Sequence, residues 1–491
     1  MNRPLKVKGL RVAQRILAVL AIAALAGCAA VGPNYIPPQT PVSTIWNTPL
    51  QGGITVETEP RNLADWWTTL NDPELSRLIE RAVAGNRDVE RAAARIREAR
   101  ARRGLSKAGL YPTLDASGSA ARSRGSADMG PVATTDLFSA GLDASWEIDL
   151  FGGVRRSVEA ADADLQVAGE DLRDTLVSLL AEVAMNYVDL RTAQARLAVT
   201  ETSLKSLEES LRLTQWRAQA GLGDELAMEQ ARYNLESARS QIPSLLTAIA
   251  EAQNRLAVLT GETPGAVHAE LSQPEPIPSL PPEVAIGVPA DLLRQRPDVR
   301  RAERQLAAQT ARIGVATADL YPKLKLSGAI GLQALTFGSL FNAANATSSG
   351  SSGLTWRVFD AGAIRKNIEI QSALQEQSRI AYESAVLGAL EEAENAILAY
   401  AQEQRRRQSL GEAVRSAQVA AELAGIKYRA GLIDFTTVLE AERSLLGFRD
   451  QLAQSEGAIV TNLVKLYKAL GGGWTALSPG EKEMSANGAK S

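Results

Sequence analysis

The sequence predicts an α+β membrane protein that is built from two tandem copies of one long structural unit. The first observation behind this prediction is an offset of 210 residues that relates the two halves of the chain. The second is a pair of segments in each half in which apolar and polar residues alternate, as they do in β-hairpins. The third is a long segment without proline in each half, which is typical of an extended helix.

The offset is clearest in a Leu-Tyr-Pro motif, which occurs at residues 110–112 and again at residues 320–322. The same register holds without a gap from Asp88 in the first copy to Gly471 in the second. Chance local similarity would not keep one offset through helices, strands and loops alike. The pattern therefore indicates a tandem duplication.

The charge of the chain argues against a nucleic-acid partner. Five basic residues and no acidic residue precede Cys28, so the remainder has 48 basic against 56 acidic residues, a net charge of −8. A nucleic-acid interface needs a basic face. The single histidine, His268, lies in a proline-rich connector without a partner for metal or general-base chemistry. We therefore expect no enzyme activity, no cofactor and no metal site.

The N-terminus has the pattern of an export signal. Residues 1–15 are basic, and residues 16–26 form an apolar run that is too short to span a bilayer. The run ends in Leu-Ala-Gly-Cys, which resembles a bacterial lipobox and makes Cys28 the expected lipidation site. The alternative is an ordinary cleavage site before a buried thiol. Ala29, where an Asp would signal retention in the inner membrane, points to the outer membrane.

Each half contains one predicted β-hairpin, at residues 113–149 and 323–359. The alternation is clearest in the second strand of the first hairpin, where one face carries Phe138, Ala140, Leu142, Ala144, Trp146 and Ile148. Strands of about ten residues have the length that a tilted strand needs to cross a bilayer. The alternative is a soluble hairpin that packs on a core. Aromatic residues near the strand ends are expected at the membrane interface: Tyr111, Trp146, Tyr321 and Trp356.

A helical hairpin follows each β-hairpin. Residues 154–218 contain no proline and would extend roughly 100 Å as one helix. Their apolar residues recur about every 3.6 positions, which predicts nearly straight rods packed side by side. The chain turns at residues 221–224, and an antiparallel helix returns over 225–259. The second copy repeats the helix, the turn and the return over residues 364–470.

These segments give a predicted organisation for the whole chain. It comprises a lipoprotein signal peptide at 1–27, an extended tether at 28–70, a first repeat at 71–264 with its helical hairpin at 154–260, a proline-rich connector at 265–288, a second repeat at 289–473 with its helical hairpin at 364–470, and a polar tail at 474–491.

Four strands in one chain cannot close a membrane barrel. An open sheet edge in lipid leaves backbone groups without hydrogen bonds, at several kcal/mol each. Closed membrane barrels have about eight strands or more, so neighbouring subunits must share one barrel. Two copies of the chain would give eight strands, and three would give twelve, with room for a pore. The helices would continue the barrel as a tube on one side of the membrane.

The whole chain resembles the TolC-like outer-membrane factor family, in its lipoprotein branch that serves drug-efflux pumps. The resemblance covers nearly everything from Gly27 to Gly473. It rests on the following features: the lipobox at Cys28, Gly-Pro-Asn-Tyr at 32–35, Asp-Trp-Trp at 65–67, Asp-Pro-Glu-Leu at 72–75, both Leu-Tyr-Pro motifs, the strand end at 146–153, and Tyr-Arg-Ala-Gly-Leu at 428–432.

The resemblance implies a homotrimer with a twelve-stranded outer-membrane β-barrel, four strands per chain, over a periplasmic α-helical barrel. It also implies a periplasmic adaptor (membrane fusion) protein and an inner-membrane pump, of the resistance-nodulation-division type. In such proteins the tips of the helical hairpins contact the adaptor and form the periplasmic entrance. The implied adaptor contacts are Gly221, Leu222, Gly431 and Leu432, and the implied entrance residues are Arg429, Asp434, Thr436 and Glu440.

Simpler readings of these residues exist. The two glycines serve as turn residues whatever their function. Glu440 is spaced to pair with Arg443 within one helix. Relatives in the family carry a bulky apolar residue in place of Thr436 and an Asp in place of Glu440.

The expected function is a passive exit duct for small molecules, such as drugs and toxic compounds, in the outer membrane of a Gram-negative bacterium. The pump would supply the energy, because the chain has no nucleotide-binding motif. The alternatives are an outer-membrane duct for protein or peptide secretion and a lipid-anchored, trimeric coiled-coil spacer in the periplasm. The sequence does not identify the substrates, although five Met and one His argue against a channel lined for copper or silver.

Overall fold

A computed structural model describes most of the chain: residues 30–38, 43, 45–56, 63–126, 133–221, 223–290 and 295–474. The predicted signal peptide, the lipidation site Cys28, the turn residue Leu222 and the polar tail beyond Trp474 lie outside the described residues. Within the described residues, no helix combines the length and the apolar character needed to cross a membrane.

Long helices dominate the described chain, and two hairpins of strands interrupt them. In chain order the elements are β1 (Ile54–Val56), a 3₁₀ helix (Trp66–Leu70), α1 (Pro73–Gly85), α2 (Arg87–Ala108), β2 (Thr113–Arg124), β3 (Thr134–Ile148), α3 (Gly153–Gln219), α4 (Glu225–Arg239), α5 (Gln241–Leu259), β4 (Val284–Ile286), α6 (Pro297–Ala318), β5 (Lys323–Ala334), β6 (Ala346–Thr355), α7 (Ala363–Arg429) and α8 (Phe435–Ala469).

The chain divides into two compact units. We call the first the strand unit; it comprises Met1–Gln39, Arg95–Ala168 and Arg301–Glu383. We call the second the helical unit; it comprises Thr40–Ala94, Gly169–Arg300 and Ser384–Ser491.

The strand unit contains one antiparallel sheet with the strand order β2-β3-β5-β6. Its register places Ala116, Leu142 and Ile330 side by side on one face, where Ile330 is 62% exposed. On the other face Asp143 lies between Asp115 and Ala329. The apolar residues that alternate in the sequence therefore lie on one exposed face of the sheet, and the polar residues lie on the other face. In the described chain β2 and β6 each pair on one side only, so both edges of the sheet are open.

The last strand is shorter than its sequence pattern suggests. The alternation predicts a hairpin to residue 359, but β6 ends at Thr355, so Trp356 and Val358 follow the strand. Thr355 pairs with Lys323, the first residue of β5. The next position on β5 would be Pro322, which has no N–H to donate to a ladder. In the first copy β3 runs on to Ile148 because it has β5 as a second partner.

A buried arginine binds the N-terminal arm within the strand unit. Arg156 of α3 is 4% exposed and donates to the Val31 carbonyl at 3.1 Å, the Gly32 carbonyl at 3.3 Å and the Asn34 Oδ1 at 2.7 Å. At Gly32 the arm crosses Gly314 of α6 so closely that a Cβ on Gly32 would lie 2.5 Å from the Gly314 Cα. The arm is thus seated by specific contacts just after the predicted lipidation site.

Replacing Arg156 by Met, which keeps the length and removes the donors, is expected to release this arm. Each hydrogen bond to a charged group contributes about 1.5–3 kcal/mol. Limited proteolysis should then cut within residues 30–38 of the variant while the native protein stays protected. Arg102→Met, at an exposed position paired with Glu98, is the matched control. Equal protection of Arg156→Met and the native chain would contradict the assignment.

In the helical unit, the segment predicted as an extended tether contains regular structure. β1 pairs in parallel with β4, and the 3₁₀ helix buries Trp66, which stacks on Tyr467 of α8 at a centroid distance of 5.3 Å. The start of α1 is as predicted: Asp72 accepts from the Leu75 N–H at 2.9 Å, and Pro73 is the first helical residue. Asp72 also accepts from the Tyr187 hydroxyl of α3 at 2.8 Å, and burial raises the pKa of that hydroxyl.

The returning arm of the first helical hairpin is broken, although the sequence analysis predicts one helix there. α4 ends at Arg239 and α5 begins at Gln241. Pro243 has no N–H to donate to the Arg239 carbonyl four residues earlier, so the ladder is interrupted at this point. In the second copy Ala453 stands at the equivalent position, and α8 is continuous.

Candidate functional site

The tips of the two helical hairpins turn at glycines. Gly221 follows α3 with φ +69°, and Gly431 follows α7 with φ +72°. Among the described residues, chain neighbours aside, no atom lies within 4 Å of a Cβ placed on either glycine, so the left-handed backbone, and not crowding, requires glycine. After α7 the Leu432 N–H donates to the Lys427 carbonyl at 2.9 Å, which closes the helix end. Leu432, which follows Gly431 in this turn, is 72% exposed.

The residues that begin the returning helices differ between the two tips. Asp224 caps α4 by accepting from the Leu226 N–H at 3.1 Å. Asp434 stands before α8, but its carboxylate makes no capping bond. The exposed Asp434 carboxylate lies at a helix N-terminus, where the helix dipole favours negative charge.

The four predicted entrance residues lie at this second tip. Arg429 ends α7 and donates to the Gly425 carbonyl of its own helix at 3.2 Å. Asp434, Thr436 and Glu440 lie at the start of α8. All four side chains are exposed. The structure therefore brings them to one end of one hairpin, without burying any of them.

A buried aromatic cluster, absent from the predicted site, holds the two tips together. Tyr428 and Phe435 lie 5.1 Å apart by ring centroids. The guanidinium of Arg217, from the first hairpin, lies 4.7 Å above the Tyr428 ring. We call the following residues the tip cluster: Ala231, Ala424, Tyr428, Phe435, Val438 and Leu439. Because it combines residues of α4, α7 and α8, it packs one hairpin against the other.

The sequence indicates only some of the residues that form the tip cluster and its contacts. Tyr428 belongs to the Tyr-Arg-Ala-Gly-Leu motif before the turn, and its position just ahead of Gly431 was visible. Arg217 has no such marker, since its contact with Tyr428 joins residues 211 positions apart.

The strand unit contains the same tryptophan hydrogen bond at both junctions between a β-hairpin and a long helix. Trp146 donates its indole N–H to the Leu110 carbonyl at 3.0 Å, and Trp356 donates in the same way to the Leu320 carbonyl at 3.0 Å. Each indole thus ties the end of its hairpin to the start. Of the two predicted interface tyrosines, Tyr111 is 68% exposed and Tyr321 stacks on Phe151 at 4.6 Å.

An aspartate then starts each long helix. Asp149 accepts from the Val154 N–H at 3.1 Å and the Arg155 N–H at 2.9 Å. Asp360 accepts from the Gly362 N–H at 2.9 Å and the Ile364 N–H at 2.8 Å. Carboxylates at helix N-termini stabilise the free N–H groups there.

Comparison with known proteins places this geometry in one class. The family model described as "Outer membrane efflux protein" matches residues 78–262 and 288–472. Nodulation protein T of Rhizobium leguminosarum bv. trifolii is 33% identical over 448 residues, which are 91% of this chain and 94% of that protein. The cation efflux system protein CusC of Escherichia coli O6:H1 is 32% identical over 458 residues, 92% of this chain and 97% of that protein.

The solved structure of the outer-membrane channel OprN is 35% identical, with a TM-score of 0.84, and the match covers 91% of this chain and 100% of that one. A sheet with an exposed apolar face and two long helical hairpins are thus the parts of an outer-membrane channel protein. The chain belongs to the outer membrane efflux protein family. It is an outer-membrane transport protein.

Proposed function

We propose that three copies of the chain form one exit duct through the outer membrane. The observation that carries this proposal is the four-stranded sheet with two open edges, β2 and β6, and an exposed apolar face. In lipid, an open edge leaves its backbone groups without partners, so β6 of one copy would pair with β2 of the next. Three copies would supply twelve strands, enough to enclose a pore.

The two halves of each chain are proposed to be tandem repeats. The two family matches begin 210 residues apart, at 78 and 288. The same offset separates the starts of β2 and β5, at 113 and 323, and of α3 and α7, at 153 and 363. The proposed repeats, 71–264 and 289–473, follow from this duplication, with the connector at 265–288 between them.

The substrates are proposed to be small molecules, passed on by a periplasmic adaptor and an inner-membrane pump of the resistance-nodulation-division type. Names of relatives support an efflux system that has a pump besides its outer-membrane protein, among them the cation efflux system protein CusC and the probable efflux pump outer membrane protein TtgC of Pseudomonas putida. The adaptor would contact the hairpin tips, at Gly221, Leu222, Gly431 and Leu432. The exposed apolar side chain of Leu432 supports a contact there.

The periplasmic entrance is proposed to lie at the second tip. Arg429, Asp434, Thr436 and Glu440 would face the axis of the trimer, and their exposure in the single chain supports this assignment. The tip cluster behind them would hold the entrance closed by packing the second hairpin on the first. The aromatic residues Trp146, Trp356, Tyr111 and Tyr321 would mark the membrane interface.

Lipidation of Cys28 would add an anchor to the outer membrane. The seated arm supports this, because Ala30 and Val31 lie at the β3–α3 junction, where the Val31 N–H donates to the Phe151 carbonyl at 3.0 Å. A lipid on Cys28 would therefore start close to the proposed membrane interface.

Purification of the native protein and of Cys28→Ser tests the duct against a lipid-anchored spacer. We expect both proteins to require detergent, to run as trimers that dissociate on heating, and to conduct ions in planar bilayers. Closed membrane barrels remain inserted without a lipid anchor. Release of Cys28→Ser as a water-soluble monomer or trimer without conductance would favour the spacer and overturn the duct.

A further inference from the structure

A buried carboxyl lies between the two helical hairpins. Glu442 of α8 accepts a hydrogen bond through Oε1 from the Ser210 hydroxyl of α3 at 2.9 Å. Its Oε2 is buried and has no hydrogen-bond partner among the described residues. A buried carboxylate oxygen without a donor is costly, whereas the protonated carboxyl carries no charge to desolvate.

Glu442 borders a partly open cavity of about 700 Å³ that is lined by residues of α3, α4, α5, α7 and α8. Among the residues that line it, α3 contributes only serine and leucine side chains. The titratable or charged groups that face it from the other helices are Tyr233 of α4, Glu422 of α7, and Arg443, Arg449 and Asp450 of α8.

Three of these groups already have partners. Asp450 accepts from Arg196 at 2.7 Å, Glu422 accepts from the Gln418 amide at 3.0 Å, and Arg449 donates to the same glutamine. Burial raises the pKa of the Glu442 carboxyl, and the hydrogen bond from Ser210 opposes that rise. The charge of Glu442 is therefore set by burial and by one hydroxyl.

Glu442 lies next to the tip cluster, so its charge can affect how the two hairpins pack there. Val438 and Leu439, one turn earlier on α8, belong to the tip cluster. Leu211, next to Ser210 on α3, packs against the same cluster. The bond between Ser210 and Glu442 thus joins α3 and α8 immediately behind the residues that pack the two hairpins together.

We propose that Glu442 is a proton-sensitive switch of the periplasmic entrance: the neutral carboxyl keeps the two hairpins packed, and ionisation separates them and opens the tip. The inference rests on the proposed function, because it assumes that the packed tip is the closed entrance. It concerns regulation by the periplasmic proton concentration, which acts without an adaptor.

The sign of the pH dependence follows from the two states. The packed state holds the proton more tightly than the separated state, in which water solvates the carboxylate. Packing is therefore favoured at low pH and loses its advantage as the pH rises from the ordinary glutamate value of 4.5 towards the raised pKa of the packed state. One coupled proton changes the equilibrium by at most about tenfold per pH unit and per chain.

The test is the conductance of the full-length protein in planar bilayers between pH 5 and pH 8, without a partner protein. We expect the open fraction of the native channel to rise by about three- to tenfold per pH unit within the titration range. Glu442→Gln, which keeps the shape and can still accept from Ser210, should stay mostly closed with a flat pH profile. Glu422→Gln, which removes an exposed carboxylate from the same cavity lining, is the matched control and should keep the rise.

Ser210→Ala provides an independent arm. Loss of the hydroxyl removes the group that favours the carboxylate in the packed state and so raises its pKa further. The rise in conductance should therefore continue to a higher pH than in the native channel before it levels off. A flat native profile, an unchanged rise in Glu442→Gln, or a rise that levels off at a lower pH in Ser210→Ala than in the native channel would each overturn the switch. Absence of any pore in the native protein would instead overturn the proposed duct, and the switch with it.

Discussion

Replacing Ile330 by Lys is expected to abolish insertion of the protein into the outer membrane. Ile330 lies in β5 on the exposed apolar face, between Leu142 and Ser348 of the neighbouring strands. A lysine on the lipid face near the centre of the bilayer costs about 2–4 kcal/mol, and a trimer would incur that cost three times. The measurement is the amount of heat-modifiable trimer in the outer-membrane fraction.

The adjacent residue supplies the control. Ala329 points to the opposite face and lies between Asp143 and Ser349. Ala329→Lys adds the same charge beside a carboxylate, on the face that would line the pore, and should leave the trimer intact. Equal loss of trimer in the two variants would show that the face carrying Ile330 does not meet lipid.

Replacing Phe435 by Ala is expected to open the periplasmic entrance. The ring is 5% exposed and packs against Tyr428 in the tip cluster. Truncation of a buried aromatic side chain costs about 3–5 kcal/mol, here divided between the contact with Tyr428 inside the second hairpin and the packing of the tip cluster that includes Ala231 of the first. The conductance of the variant in planar bilayers should exceed that of the native channel at every pH, because the packing itself is weakened.

Tyr233→Ala is the control for the tip. Tyr233 belongs to α4 and is 56% exposed beside the same pair of hairpins, but it lies outside the tip cluster. Its truncation should leave the conductance near the native value. An unchanged conductance in Phe435→Ala, with the trimer intact, would show that the tip cluster does not keep the entrance closed.

The long helices and the strands could be predicted because their signals are local. The absence of proline and the 3.6-residue period place the ends of α3 within one residue of the predicted 154–218. The alternation in β3 marks the apolar face that the register then shows. The start of α1 could likewise be predicted, because Asp72 is a typical N-cap residue and Pro73 a typical first helical residue.

The features that were missed depend on contacts between distant residues. The end of β6 at Thr355 follows from the proline that precedes its partner strand, not from its own composition. The contact of Arg217 with Tyr428 and the bond between Ser210 and Glu442 join residues more than 200 positions apart. Within their own helices these side chains look like ordinary polar positions, so their roles required the packed structure.

The break at Ser240 is expected to make the returning arm of the first hairpin more flexible than that of the second. The first hairpin returns through two shorter helices that meet without a continuous backbone ladder, whereas the second returns through one unbroken rod of 35 residues. Bending at the break would move α4 and the first hairpin tip, while α8 would stay straight. A trimer would contain six hairpins, in which flexible first hairpins alternate with rigid second hairpins. The three first hairpins would then bend more easily than the three second hairpins.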